Sequence, residues 1–364
     1  MRVLTVNPGS NSLQLHLVDT GRGEPVVLDQ RKFEHRPDDA TARDELRSLL
    51  KADRPADAVA HRLVHGGPEL RQPTRVGEGA LAAVRAAEPL APGHVPATLR
   101  MIEAVSELIG EMGSEPAQVL CPDTAFHAGL PEPAAQYALP AEWRERYGLR
   151  RYGFHGLSCG WALRQAVNQL DRPAERLRLV IAHLGGGCSA TAVDRGRSVD
   201  TSMGFTPLEG MSMSKRSGSV DPGMLLWLIE HAGLSPAEVR EGISTSSGLL
   251  GLSGRSGDTR ELVPAAQNGD REAALALAVF AHRARREIAA VAASLPSVDA
   301  LVFTGEIGFD QPEVRDQITD GLCLLGPHCR VLVVEPREEL ELARLTAELL
   351  AGDRGTSVQH GEGT

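Results

Sequence analysis

RLRLVIAHLGGGCSATAVDRGRSVDTS, residues 176–202, is the stretch that decides the fold. An apolar run over 176–184 reads as a strand, and three glycines interrupt it. ATAVD then begins a second strand, which the turn DRGR (194–197) folds back onto RSVDTS. Within it, GGGCSA at 185–190 fits the spacing GxGxxA of a dinucleotide fingerprint. That fingerprint needs a helix directly after the glycines, so that the helix N-terminus points at a pyrophosphate. A hairpin follows instead, which excludes that kind of nucleotide unit. A glycine turn of this type is either a plain tight turn or a place where bare backbone N–H groups close on anionic oxygens.

The same order of elements opens the chain. RVLTV (2–6), the loop NPGSNS (7–12), LQLHLV (13–18), a turn at Asp19–Arg22 and EPVVLDQ (24–30) repeat strand, Gly loop, strand, turn and strand. A unit that recurs at the head of each half predicts a duplicated α/β architecture. Apolar residues at helical spacing predict helices over 41–53, 78–90, 97–110, 271–295 and 337–350, and SVDALVFTG (297–305) reads as a strand entering a glycine loop. Residues 351–364 are polar and read as a disordered tail. A chain of 364 residues with 42% hydrophobic content suffices for two domains.

Bulk charge narrows the partners. The net charge is −10, which argues against broad nucleic-acid binding. Lysine occurs only at Lys32, Lys51 and Lys215, so any anion site must be a local cluster of arginine. Five scattered cysteines show no CxxC spacing, which points to free thiols in a reducing compartment rather than to zinc or disulfides. No apolar stretch approaches the ~18 residues of a membrane span, and the first strand leaves no room for a leader. A soluble cytoplasmic protein is expected.

Four further clusters carry chemistry-bearing side chains. HRLVHGG (61–67) sets Arg62 beside a flexible glycine pair, where its planar fork can grip a carboxylate or phosphate, or simply lie on the surface. PDTAFHAGLP (122–131) places Asp123 at a strand end, as a turn residue or a metal ligand. RRYGFHGLS (150–158) holds His155 between aromatic and glycine residues, a setting that is more often structural than catalytic. VDTSMGFTPLEGMSMSKRSGSVDPG (199–223) is long and irregular, which inside a compact domain usually signals function, and Arg216 sits among its small residues.

These segments occur in a fixed order with SGLLGLSGRSGDTRE (247–261) and VFTGEIG (302–308). Together they resemble the acetate kinase family from about residue 2 to 350. The resemblance implies the duplicated actin/Hsp70/sugar kinase-like fold, built of ribonuclease H-like domains with mixed sheets around an interdomain cleft. The expected division is 1–125 with 335–350, 126–334, and the tail 351–364. It implies an ATP-dependent carboxylate kinase that forms an acyl phosphate and ADP reversibly, acting as a homodimer with Mg²⁺. The contrasting reading is a catalytically silent nucleotide-binding paralogue with a regulatory role.

Position by position, the resemblance assigns Arg62 and Arg216 to the carboxylate and the transferring phosphoryl group, His155 to the transition state, and Asp123 to Mg²⁺. It assigns Asn7 and Ser10 to the first phosphate loop and His183, Gly185, Gly186 and Gly187 to the second. Asp258 and Arg260 flank the nucleoside, with Gly305 and Gly308 in an adenosine loop. Val64, Gly93, Phe154 and Pro207 line the pocket for the alkyl end. The chain departs from the family pattern at Gln14 (Lys in the family), Gly186 (Asn), Cys159 (His) and Gly93 (Leu), and at Phe309, where GGIGEN carries an acid. The expected metal set is therefore Asn7 and Asp123, with Asp310 as the carboxylate next to Phe309. Gly93 predicts an acceptor larger than acetate.

Overall fold

The computed structural model describes residues 1–9, 12–21, 23–35, 37–51, 55–113 and 116–358, with the backbone alone from 353 to 358. The chain divides into two compact units. One comprises residues 1–128 with the segment that begins at Arg337, and the other is Gly129–Pro336.

The first unit is built on six strands, β1 (Arg2–Pro8), β2 (Leu13–Asp19), β3 (Val26–Phe33), β4 (Ala58–Leu63), β5 (Thr74–Arg75) and β6 (Ala117–Pro122), in the order β3-β2-β1-β4-β6-β5. β1 to β3 form an antiparallel meander, and β4 and β6 then run parallel to β1. Leu4, Val6, Leu15 and Leu17 leave the sheet face to pack with Leu46, Leu49 and Leu50 of helix Asp39–Leu50 and with Val105 and Leu108 of helix Val95–Met112. Asp38 caps the first of these helices by accepting from the Thr41 amide at 2.7 Å, and Gly113 ends the second at φ 62°. The helix Glu338–Val358 returns to this unit and packs on β1, β2, β4 and β6.

The second unit carries β7 (Arg178–Leu184), β8 (Cys188–Asp194), β9 (Arg197–Thr201), β10 (Ala300–Thr304) and β11 (Arg330–Val333) in the order β11-β10-β7-β8-β9. Its plan matches the first: an antiparallel meander β7-β8-β9, then β10 and β11 parallel to β7. The likeness reaches the irregularities. The β2–β3 register slips between Leu17 and Val18, and the β8–β9 register slips between Ala192 and Val193, the same place in each second strand. The DRGR turn closes with Arg195 at φ 50° and Gly196 at φ 82°, the left-handed pair that a two-residue hairpin requires.

Three expectations change. Residues 305–310 form a short helix rather than a loop, because Gly305 at φ 80° lets the chain turn sharply off β10 into helical geometry. The last helix runs past Leu350 to Val358, since each added residue gains a hydrogen bond at little cost once the helix is nucleated. Helices Gly156–Leu170 and Pro222–Glu230 also stand outside the segments expected to be helical. Among the described residues no helix is long and apolar enough to cross a membrane.

Candidate active site

In the first unit the C-terminal ends of three adjacent parallel strands bring the polar residues together, as expected for ligand sites in such sheets. Asn7 lies near the end of β1, Arg62 on β4, and Asp123 directly after β6. The Arg62 guanidinium donates to Asp123 Oδ2 from Nη2 at 2.7 Å and from Nε at 3.1 Å, and to Asn7 Oδ1 from Nη1 at 3.1 Å. A second carboxylate joins from the last helix, with Glu338 Oε2 3.2 Å from Arg62 Nη1. Asp123 is 1% exposed and Arg62 17%. Burial works against the Arg62 charge, but Asp123 and Glu338 more than offset it and raise its pKa.

Glu338 is absent from the sequence-derived set. The oxygen donors Asn7, Asp123 and Glu338 around one site are chemically suited to Mg²⁺, which takes one or two carboxylates and completes its shell with water and phosphate oxygens. No group of three or more His, Cys, Asp or Glu suited to a metal occurs among the described residues. Ser10 lies outside the described residues. Gln14, where the family has Lys, pairs across β2 and β3 with Lys32.

Val64 is buried close to Arg62 in sequence, and Gly93 is exposed. A Cβ on Gly93 would meet nothing within 4 Å, so a Leu there would fill open space rather than replace a packed neighbour.

The second unit gathers His155, His183, Arg216 and the glycine turn. His155 precedes helix Gly156–Leu170 with φ 59°, a left-handed conformation that a bulky residue adopts only under constraint. Its ring stacks on His183 with centroids 4.0 Å apart and planes 26° apart. A Cβ on Gly187 would come within 3.0 Å of His155 Nε2 and 3.5 Å of Arg216 Nη1, so the absence of a side chain opens the turn to both groups. Gly185 is less tightly set, with a Cβ there at ordinary contact distance, 3.5 Å from His183 Nε2 and 3.7 Å from the Glu306 amide. Gly186, the family's Asn position, faces open space.

Arg216 differs from Arg62 in its partners. Its Nη1 donates to the Pro207 carbonyl at 3.0 Å and touches Met213 Sδ at 3.9 Å, and among the described residues it forms no ion pair. Burial lowers its pKa, and the opposing influence of Cys188 is the smaller. Pro207 thus serves Arg216 through its backbone, and Phe154, directly before His155 in the chain, is 1% exposed.

The remaining assigned residues lie on further elements of the second unit. Asp258 caps helix Thr259–Gln267 and holds Arg260, Nη2 to Oδ2 at 2.6 Å, which keeps its carboxyl below the usual range. Gly305 and Gly308 belong to the short helix after β10, next to the 185–187 turn through the pairing of Thr304 with His183. On that helix Phe309 is 37% exposed, and Glu306 and Asp310 share one face at i, i+4 spacing. Asp310 lies in the second unit, whereas the oxygen cluster of Asn7, Asp123 and Glu338 lies in the first.

Residues 40–332 match the model of the Acetokinase family. An acetate kinase of Heliobacterium modesticaldum is 38% identical, covering 97% of this chain and 100% of its own length. An acetate kinase of Deinococcus radiodurans is 40% identical, covering 98% and 100%. Among solved structures, Porphyromonas gingivalis acetate kinase superposes with a TM-score of 0.84 at 32% identity over 96% of this chain and 99% of that one. A propionate kinase of Francisella tularensis gives 0.84 at 31% identity over 94% and 98%. The repeated sheet is therefore the actin/Hsp70/sugar kinase fold, and matches of this extent and identity settle descent: the chain belongs to the acetokinase family.

Proposed function

We propose that the protein transfers the γ-phosphoryl group of ATP to a short-chain carboxylate, forming an acyl phosphate and ADP, and catalyses the reverse reaction. The observation that carries this reading is Arg216, a guanidinium beside a glycine turn and two imidazoles with no carboxylate among the described residues to neutralise it. A site of that kind is pre-organised for an anion that arrives from outside.

In-line phosphoryl transfer asks little covalent chemistry of a protein. It asks for alignment and for positive charge on the equatorial oxygens. A carboxylate is already ionised at neutral pH, so the acceptor needs no strong base. Arg216 supplies charge to the transferring group, and His155 and His183 supply N–H donors beside it. The backbone of 185–187 lies open for phosphate oxygens. Arg62, with part of its charge held by Asp123 and Glu338, orients the acceptor carboxylate. Asn7, Asp123 and Glu338 would hold Mg²⁺, which would supply charge to neutralise the phosphate oxygens.

The open space at Gly93 favours acceptors longer than acetate. The free thiols, three of them buried, suit the cytoplasm. Helix Pro222–Glu230 has no buried residue and exposes Met224, Leu226 and Trp227, the kind of apolar face that a second copy covers in a homodimer.

The test is purified protein with Mg-ATP and a series of carboxylates, with acyl phosphate trapped by hydroxylamine. Trapped product with propionate or longer acids is the expected result. Nucleotide binding without product from any acid overturns the kinase reading and leaves the silent paralogue.

A further inference from the structure

Each of the two stacked histidines is braced by a serine: His155 by one on β8, across the ladder from His183 on β7, and His183 by one on the helix that His155 precedes. Ser189 on β8 places its Oγ 3.0 Å from His155 Nδ1, and Ser158 on helix Gly156–Leu170 places its Oγ 2.7 Å from His183 Nδ1. Both serines are 0% exposed. Among the described residues neither hydroxyl has another hydrogen-bond partner. A buried O–H that donates to nothing is costly, and the only acceptor within reach is the imidazole nitrogen. Each hydroxyl therefore donates to Nδ1. A neutral imidazole that accepts at Nδ1 carries its proton on Nε2, and both Nε2 atoms face the glycine turn.

We propose that Ser158 and Ser189 are positioning residues that hold His183 and His155 as neutral Nε2–H donors aimed at the 185–187 turn. The surroundings favour donors without charge. The rings lie 4.0 Å apart, where two imidazolium ions repel, and Arg216 reaches the same turn from the 202–221 segment. The Cys188 thiol directly after the turn is buried, and burial pushes it up to about 12, so it brings no counter-charge. The reverse tautomer would present lone pairs to the phosphate oxygens and repel them. This assignment rests on the phosphoryl-transfer reading for its purpose, but not for its measurement.

The experiment is a long-range ¹H–¹⁵N correlation spectrum of the ligand-free, ¹⁵N-histidine-labelled protein near neutral pH, with His155→Asn and His183→Asn used for assignment. Both rings are expected to show an unprotonated Nδ1 and a protonated Nε2. A proton on Nδ1 of either ring overturns the proposal, and this holds whether or not any serine variant folds. Kinetics supply the second readout. Ser158→Ala and Ser189→Ala should each lower kcat about tenfold and leave both KM values within about twofold, whereas Ser189→Thr retains the rate. Unchanged kcat in both alanine variants overturns it as well. Wild-type protein with the expected tautomers but no kinase activity sinks the proposed function and leaves the tautomers standing.

Discussion

Glu338 Oε2 sits 3.2 Å from Arg62 Nη1, on the guanidinium that also holds Asp123 and Asn7. One arginine thus gathers three oxygen-bearing side chains from three distant segments. Glu338→Ala should raise the Mg²⁺ concentration for half-maximal rate about tenfold or more, because a charged contact of this sort is lost. A Mg²⁺ titration of the kinase reaction measures it. With these donors in place, Phe309→Glu should leave the rate unchanged, and a gain in rate on that substitution would relocate the metal to the second unit.

Arg216 has no carboxylate partner among the described residues, so its positive charge is wholly available to an incoming anion. Arg216→Ala should reduce kcat/KM by about 10² to 10³, the range for an electrostatic catalytic group. Lysine should restore little, since it lacks the planar fork and cannot keep the Pro207 contact in the same pose. A thermal melt within a few degrees of wild type would separate this from misfolding.

Gly93 predicts a change in acceptor choice rather than in rate. Gly93→Leu fills empty space, so the fold should tolerate it. The ratio of kcat/KM for acetate over longer acids should then rise about tenfold, as one or two methylenes of pocket space are worth that much. An unchanged ratio would remove Gly93 from the acceptor pocket.

His61 predicts the pH dependence of stability. It is 0% exposed on β4, bonded to Gln118 Oε1 at 2.8 Å, and burial lowers its pKa to about 4. The unfolded chain, with an ordinary value near 6.5, binds the proton first. Stability is therefore full above about pH 6.5 and lost as the pH falls toward 4, by about 3 kcal/mol in all. His16, likewise lowered by burial, adds in the same direction. Denaturant titrations across this window should show the loss, and His61→Phe should flatten it.

The repeat was legible because strand alternation and glycine turns are local signals. Residues 176–202 announce their hairpin without help from the rest of the chain. Arg62, Asp123, His155 and Arg216 stood out through motif order, and the structure joins Arg62 to Asp123 and His155 to the turn beside Arg216. Glu338 was not legible. It begins a helix within EELEL, where an acid in the first turn merely complements the helix dipole. Its proximity to Arg62 is created only when that helix packs on the first sheet. Ser158 and Ser189 were hidden for the same reason, each being an ordinary serine until its partner's ring lies opposite. The helix Gly156–Leu170 escaped notice because nine of its residues are buried, which erases the amphipathic stripe that periodicity detects.

The return of the final helix to the first sheet has a consequence for how the protein comes into being. Asn7, Arg62 and Asp123 are translated early, but the carboxylate that completes their cluster is Glu338. A nascent chain halted before that point holds a sheet with one covering helix missing and an arginine short of an acid. The cluster is therefore completed only when the last segment of the chain has been made.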